Sequence, residues 1–291
     1  VFYRLFETIE REGQPPRLVF KTANAPGELK GEVLLVDESS MVSKAMAADI
    51  RRTGITVVAV GDPGQLPPVE GEPFFTEASF RRNFTLTEIH RQALESPIIR
   101  QAHAVRLGGQ YEADGEAVRV IDRLTGGELR ATQVVLTGRR NTRMRMNAEM
   151  RRIRDLHNPL PRLGEPLICL RNTPQYDLCN GAIYYASRDL HEDDKTVGIS
   201  TDEGDIEVPA IFLSPGHEYD RPEVPRWVSA FAFGYALTVH QAQGSEFDNV
   251  LLIDESAVFR EDRDRWCYTA ITRAKERIVI ARDGSYWSKA L

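Results

Sequence analysis

Two adjacent carboxylates, Asp37 and Glu38, close the apolar run Val33, Leu34, Leu35 and Val36. Such a run between Gly31 and acidic residues predicts a strand buried on both faces. Carboxylates at its carboxyl end lie where open α/β sheets bind ligands, within reach of a divalent cation and a water. A second apolar run, residues 56–60, ends in the loop GDPGQLPPVEG (61–71), whose Gly and Pro content fixes a shaped backbone that carries Gln65. The stretch VLLVDESSM (33–41) is a Walker B pattern, half of a nucleotide site. Its usual partner, a G-x-x-x-x-G-K-S/T loop that cradles phosphates, does not precede it in this sequence.

The elements around these residues read as alternating strands and helices, the order of a parallel sheet. A helix is expected over residues 43–52, then the strand 56–60, then a short strand from Phe84 entering a helix that runs through Ile98 to Leu107 with Pro97 in its first turns. Strand, loop and helix recur from Gln133, the helix carrying Arg139, Arg140, Arg143, Arg145, Arg151 and Arg152. That basic run suits either a nucleic-acid path or a solvated helix face. Between about residues 161 and 225 short alternating runs (LICLRN, GAIYYAS, KTVGIS, DIEVPAIFL) predict a small inserted β-barrel or sandwich. The α/β character returns in AFGYALTVHQAQGSEFDNVLLIDE and WCYTAITRAKERIVIARD.

At 291 residues the chain is long enough for two ordinary domains, and 42% hydrophobic with 27% charged residues is the balance of a globular protein. The most apolar stretch, residues 227–239, is too short to span a bilayer, so no membrane partner is expected. Cys169, Cys179 and Cys267 form no C-x-x-C pair, which points to a reducing, cytoplasmic compartment and to small buried side chains. A net charge of −6 does not advertise a nucleic-acid binder, but a local groove counts for more than the sum. The opening VFYRLFETIEREG has neither an initiator Met nor the order of a signal peptide. It reads as the interior of a longer chain, with the phosphate loop expected upstream.

In order and wording the chain resembles the superfamily 1B DNA helicases, the 5′ to 3′ group of RecD, TraI and Dda, and within it the exonuclease V alpha subunit. VDESSM matches motif II, VGDPGQLPPV motif III, LTEIHRQ motif IV, LTVHQAQGSEFDNV motif V and YTAITRAK motif VI. The resemblance implies an α/β fold of two RecA-like P-loop NTPase domains, the first incomplete, with a small SH3-like β insertion in the second. The partition it suggests is 1–95 for the first domain and 96–291 for the second, with the insertion at 161–225. It implies ATP and Mg²⁺ as cofactors, single-stranded DNA as partner, and membership of a repair or recombination complex in a bacterial or phage-encoded system. A strand-separating pin would fall within residues 10–30.

Carried onto this sequence, the resemblance has Asp37 hold Mg²⁺ and Glu38 accept a proton from the attacking water. Gln65 sits by the γ-phosphate, Arg91 and Arg273 clamp it, and Gly244 and Glu246 of motif V border the nucleotide. Guanidinium forks suit phosphate oxygens. Thr238 and His240 are the family's contacts to the single-strand backbone, although a lone His is more often a satisfied structural residue. Phe74 and Phe75 offer either a stacking face for bases or core packing. Two other classes stay open: a non-catalytic module that binds single-stranded DNA or a partner, and a nuclease subunit, for which the sequence shows no separate acidic cluster.

Overall fold

The computed structural model describes residues 33–52, 54–69, 71–75, 84–86, 95–213, 225 and 227–282, together with the backbone of 6–9 and 17–20. The chain divides into two compact units, Val1–Ile89 and His90–Leu291.

In the first unit β1 (Phe6–Ile9) and β2 (Arg17–Phe20) pair as an antiparallel hairpin with Phe6 opposite Phe20. Strands β3 (Val33–Val36) and β4 (Thr56–Ala59) are parallel, Leu35 beside Val58 and Val36 beside Ala59. Between them runs α1 (Lys44–Arg52), favoured by its Ala, Met, Lys and Arg content. The Ser43 hydroxyl accepts from the Met46 N–H at its start, and Gly54, at φ +68°, donates to the Arg51 carbonyl after its end. Ala47 and Ile50 of α1 pack with Val36 and Val42, and Leu34, Val57 and Ala59 close against them.

Alternate strand residues point to opposite faces, and α1 covers only one. Val33 and Leu35 are 62% and 64% exposed, and Val58 and Val60 about half exposed. The expectation of strands buried on both faces is therefore corrected to burial on one. The strand expected from Phe84 is also corrected. Residues 84–86 belong to no strand, and Phe84 and Leu86 are fully exposed. The rest of motif IV, residues 87–94 with Arg91, lies outside the described residues.

The second unit opens with α2 (Pro97–Arg106), Pro97 taking the first helical position where its missing N–H costs nothing. Then follow β5 (Val118–Ile121), α3 (Gly126–Arg130), β6 (Val134–Thr137) and α4 (Arg140–Arg152). After an insertion come β12 (Ala236–Thr238), β13 (Phe247–Ile253), α5 (Arg263–Ile271) and β14 (Ala274–Ala281). The five strands form one sheet in the order β12-β6-β13-β14-β5, every pair parallel. Its central strands are near-continuous apolar runs because helices cover both faces. α4 packs on β6 and β12, whereas α2 packs on β14 and α5.

The insertion is a closed barrel of β7 (Pro166–Cys169), β8 (Ile183–Ala186), β9 (Thr196–Thr201), β10 (Gly204–Phe212) and β11 (Ser229–Phe233), ordered β10-β11-β7-β8-β9. β10 and β11 are parallel and the other neighbours antiparallel. β11 lies beyond residue 225, in a stretch whose unbroken apolar character reads instead as a return to the parallel sheet. Phe231 and Phe233 of β11 join Val135, Leu251 and Met146 in one continuous core, so barrel and sheet share their interior. Among the described residues no helix is long and apolar enough to cross a membrane.

Candidate nucleotide and nucleic-acid sites

In the first unit Asp37 and Glu38 stand immediately beyond the carboxyl end of β3. Asp37 is exposed, and its Oδ1 accepts the Glu38 N–H at 2.8 Å. Glu38 has φ 50° and ψ 44°, a left-handed conformation that costs a non-glycine residue about 1 to 3 kcal/mol and gathers at functional sites. The next residues bind this turn to the loop of Gln65, for Ser39 N–H donates to the Val60 carbonyl at 2.9 Å. Gly61 is required there: a Cβ would come within 2.5 Å of Ser39 Oγ and 2.9 Å of its backbone nitrogen. The loop is shaped further by the Asp62 carboxylate, which accepts from Gly64 N–H at 2.8 Å. It then returns along α1, where Phe74 N–H donates to the Val42 carbonyl at 2.9 Å.

Gln65 Oε1 and Ser40 Oγ are buried and have no hydrogen-bond partner among the described residues. Buried polar atoms are nearly always satisfied, so a pair of orphans beside two carboxylates fits a polar ligand such as a metal-bound phosphate. Phe74 is half-buried against the small core, edge-to-face with Phe75 at 5.1 Å and with the Arg51 guanidinium over its ring at 4.4 Å. One face of the Phe74 ring is therefore covered by Arg51.

In the second unit Arg273 follows α5 and is almost wholly buried. Its Nε donates to the Thr269 carbonyl, Nη1 to the Ser245 carbonyl and Nη2 to Thr272 Oγ1, each at 3.1 Å. It is thus tied into motif V, and Phe247 N–H donates back to its carbonyl at 2.8 Å. In the same loop Gly244 is exposed at φ +76°, and Glu246 is exposed.

Thr238 and His240 lie at the carboxyl end of β12, beside Thr137 of β6 in register. Thr238 Oγ1 donates to Gln241 Oε1 at 3.2 Å and accepts the Gln241 N–H at 3.3 Å, so the hydroxyl shapes the turn that presents it. The half-buried His240 ring lies 5.8 Å from Phe259. Burial pushes its pKa down from 6.5, and the Asp262 carboxylate opposes that shift.

Two residues here went unnoticed in the sequence. Glu255, just past β13, accepts Gly138 N–H at 2.9 Å, Arg139 N–H at 2.7 Å and the Thr142 hydroxyl at 2.6 Å. It caps α4 across the sheet, and the only signal was a second apolar strand ending in two acids, VLLIDE. Asn147 of α4 exchanges two hydrogen bonds with the Ala236 backbone, holding the edge strand β12 in place. The arginine run of α4 is neither purely a nucleic-acid path nor a solvated face. Arg143 and Arg151 are buried, and Arg139, Arg140 and Arg145 are exposed.

Residues 233–281 match the family described as the UvrD-like helicase C-terminal domain, and residues 10–126 match one described as an AAA domain. Over 287 residues the chain is 30% identical to the ATP-dependent RecD2 DNA helicase of Deinococcus radiodurans, covering 89% of this chain and 37% of that protein. It is 26% identical to the conjugal transfer protein TraA of Rhizobium radiobacter, covering 85% of this chain and 24% of that protein. The chain therefore spans well under half the length of these relatives. Among solved structures, Bacteroides Pif1 bound to ssDNA shares the fold with a TM-score of 0.60 at 18% identity, over 94% of this chain and 74% of that one. Pif1 helicase from Candida albicans gives 0.54 at 18% identity, over 87% and 72%. With its motifs in order and RecA-like α/β architecture, the chain is similar to the RecD-like helicases of superfamily 1B.

Proposed function

We propose that this chain forms the motor of an ATP-dependent DNA helicase that couples Mg–ATP hydrolysis to 5′ to 3′ movement on single-stranded DNA. The observation that carries this reading is the 3.1 Å hydrogen bond from Arg273 to the Ser245 carbonyl. It ties the candidate γ-phosphate arginine to the loop whose other end presents Thr238 and His240. A ligand that drew Arg273 Nη1 away from the Ser245 carbonyl would release that loop, which is the kind of linkage a translocating motor needs.

Bound ATP with its Mg²⁺ would supply the phosphoryl group to be transferred. Of this chain's own groups, Asp37 would hold the cation and Glu38 would accept the proton of the attacking water. Gln65, with its orphaned Oε1, would orient toward the γ-phosphate, and Arg91 and Arg273 would neutralise it. Gly244 and Glu246 would border the nucleotide. Thr238 and His240 would bond phosphate oxygens of the strand without sequence choice. The direction of movement rests on the kinship with RecD-like proteins, as does any part in a repair or recombination complex.

The test is ssDNA-stimulated ATP hydrolysis by the whole protein and by its Glu38→Gln variant. Turnover in the parent, abolished in the variant with nucleotide binding retained, is the expected result. Nucleotide-independent ssDNA binding without turnover in the parent favours a non-catalytic binding module instead.

A further inference from the structure

Phe259 sits in the 3-10 segment Ser256–Asp262 that leads from β13 into α5, and three unfavourable local features converge on its placement. Its neighbour Arg260 has φ 46° and ψ −108°, a strained conformation for a side-chain-bearing residue. Its ring stacks at 5.3 Å, 17° from parallel, on Trp266, which is wholly buried and whose Nε1 has no hydrogen-bond partner among the described residues. A Cβ on Gly138 would come within 2.9 Å of both the Phe259 Cε2 and the Glu255 Cβ, so the residue after β6 must be glycine for the segment to fit. Glu255, four residues before it, fixes the segment through its three hydrogen bonds to Gly138, Arg139 and Thr142.

Yet the ring so placed is only half-buried. It stacks on Trp266 and has the tilted His240 ring at 5.8 Å, and among the described residues it has no other aromatic or cationic partner. A core aromatic is normally enclosed from every side. One that stacks on a single wholly buried ring and keeps part of its own surface exposed is arranged as a platform. The platform stands at the carboxyl edge of the parallel sheet, where β6, β12 and β13 end together and where ligands of such sheets bind. Exposed Arg139 lies in the turn after β6, exposed Arg140 opens α4, and exposed Arg260 is in the 3-10 segment itself.

We propose that Phe259 is a base-stacking residue of the second unit, receiving one nucleobase of single-stranded DNA on its exposed surface while the neighbouring guanidinium groups meet the phosphates. This rests on the reading of the protein as a single-strand motor and adds a residue to it. Stacking is tolerant of sequence because every base has a π-face, and it supplements phosphate contacts that carry no grip on the base.

The experiment is a fluorescence-anisotropy titration with a labelled thymidine oligonucleotide and with the same strand made abasic, on the parent, Phe259→Leu and Phe259→Tyr. Leucine keeps apolar packing on Trp266 without the π-face. The proposal expects Phe259→Leu to bind the oligonucleotide about 5- to 150-fold more weakly at an unchanged unfolding midpoint, with Phe259→Tyr near the parent. It also expects the parent, but not Phe259→Leu, to prefer the base-bearing strand over the abasic one by a factor in that range. Equal binding of oligonucleotide by parent and Phe259→Leu overturns the proposal and leaves the motor reading intact. If Phe259→Leu fails to fold, equal binding of base-bearing and abasic strands by the parent overturns it in the same way. A parent that binds neither strand overturns the motor reading itself.

Discussion

Arg151, in the last turn of α4, and Glu165, at the entrance to the barrel, form a buried bidentate ion pair with Nε to Oε1 at 2.7 Å and Nη2 to Oε2 at 3.0 Å. Tyr235, just before β12, adds a third arm by donating to Glu165 Oε1 at 3.1 Å, and the Arg151 guanidinium lies 4.0 Å over the Phe233 ring. Burial and the Glu165 charge together push the Tyr235 hydroxyl above its ordinary range, so it stays a donor. The chain's way into the barrel and its way out are thus fastened to one helix of the parallel sheet.

Breaking that pair from one side strands a buried charge, which typically costs about 3 to 5 kcal/mol. Glu165→Gln is expected to lose stability of that order in a denaturant titration. Arg151→Met combined with Glu165→Leu should recover much of the loss, because the second charge is gone as well. A single variant within about 0.5 kcal/mol of the parent, the usual span of surface substitutions, would show that the pair is solvated in solution.

Arg273 has a structural role in the fold and, in the proposed motor, a phosphate-binding one. A phosphate-binding arginine contributes about 10³ to 10⁵ in rate in hydrolases that use one, and as a structural tie Arg273 satisfies the Thr269 and Ser245 carbonyls and bonds the Thr272 hydroxyl, each for about 1 kcal/mol. Arg273→Ala is expected to lower ssDNA-stimulated ATP turnover of the whole protein by about 10³ or more, and to cost about 1 to 3 kcal/mol of stability for each carbonyl it strands, so turnover is compared at a temperature where the variant is folded. Turnover within tenfold of the parent would leave Arg273 a structural tie alone.

Most of the architecture was legible because parallel strands with helices on both faces must be written as long apolar runs, and VVLT and VLLI are such runs. The run VLLV at residues 33–36 has the composition of a doubly covered strand for the same reason, but among the described residues α1 packs on one face of it and Leu35 on the other lies open. The barrel's last strand was hidden because SAFAF is buried throughout, like the sheet strand that follows it. Roles of arginine were the least legible. Arg143 and Arg151 look like Arg139 and Arg145 in the sequence, and which of them turns inward depends on helix phase and on Glu165, fourteen residues past Arg151. Glu255 was missed because it caps a helix more than one hundred residues earlier, a pairing with no local signature.

Helix α4 begins without a side-chain cap of its own, and Glu255 supplies one from another strand. A carboxylate at a helix N-terminus contributes about 0.3 to 2 kcal/mol through the helix dipole. Glu255→Gln, which can still accept the backbone N–H groups, is expected to lose about that much. Glu255→Ala should lose more, since the Gly138 and Arg139 N–H groups are left without their acceptor. Equal stabilities for the two variants, by chemical denaturation, would mean that charge and not hydrogen bonding is the whole of the effect.

His240 is expected to contribute to the pH response of the edge of the sheet. Its folded pKa lies below 6.5 because burial disfavours the imidazolium, so in the unfolded chain it takes up a proton at a higher pH than in the native one. Stability is therefore intact above about pH 6.5 and is lost as pH falls through the folded value, because the unfolded state binds more protons in that window. The carboxylates held low, among them Asp114, Asp189, Asp194 and Glu207, act only below their ordinary values of 3.8 and 4.5, so the two responses are separable. Chemical denaturation of the parent between pH 8 and pH 5 is expected to show a fall that begins near pH 6.5, and His240→Asn should flatten it. An unchanged slope in His240→Asn would assign the fall to another group and leave His240 as readily protonated as a histidine in water.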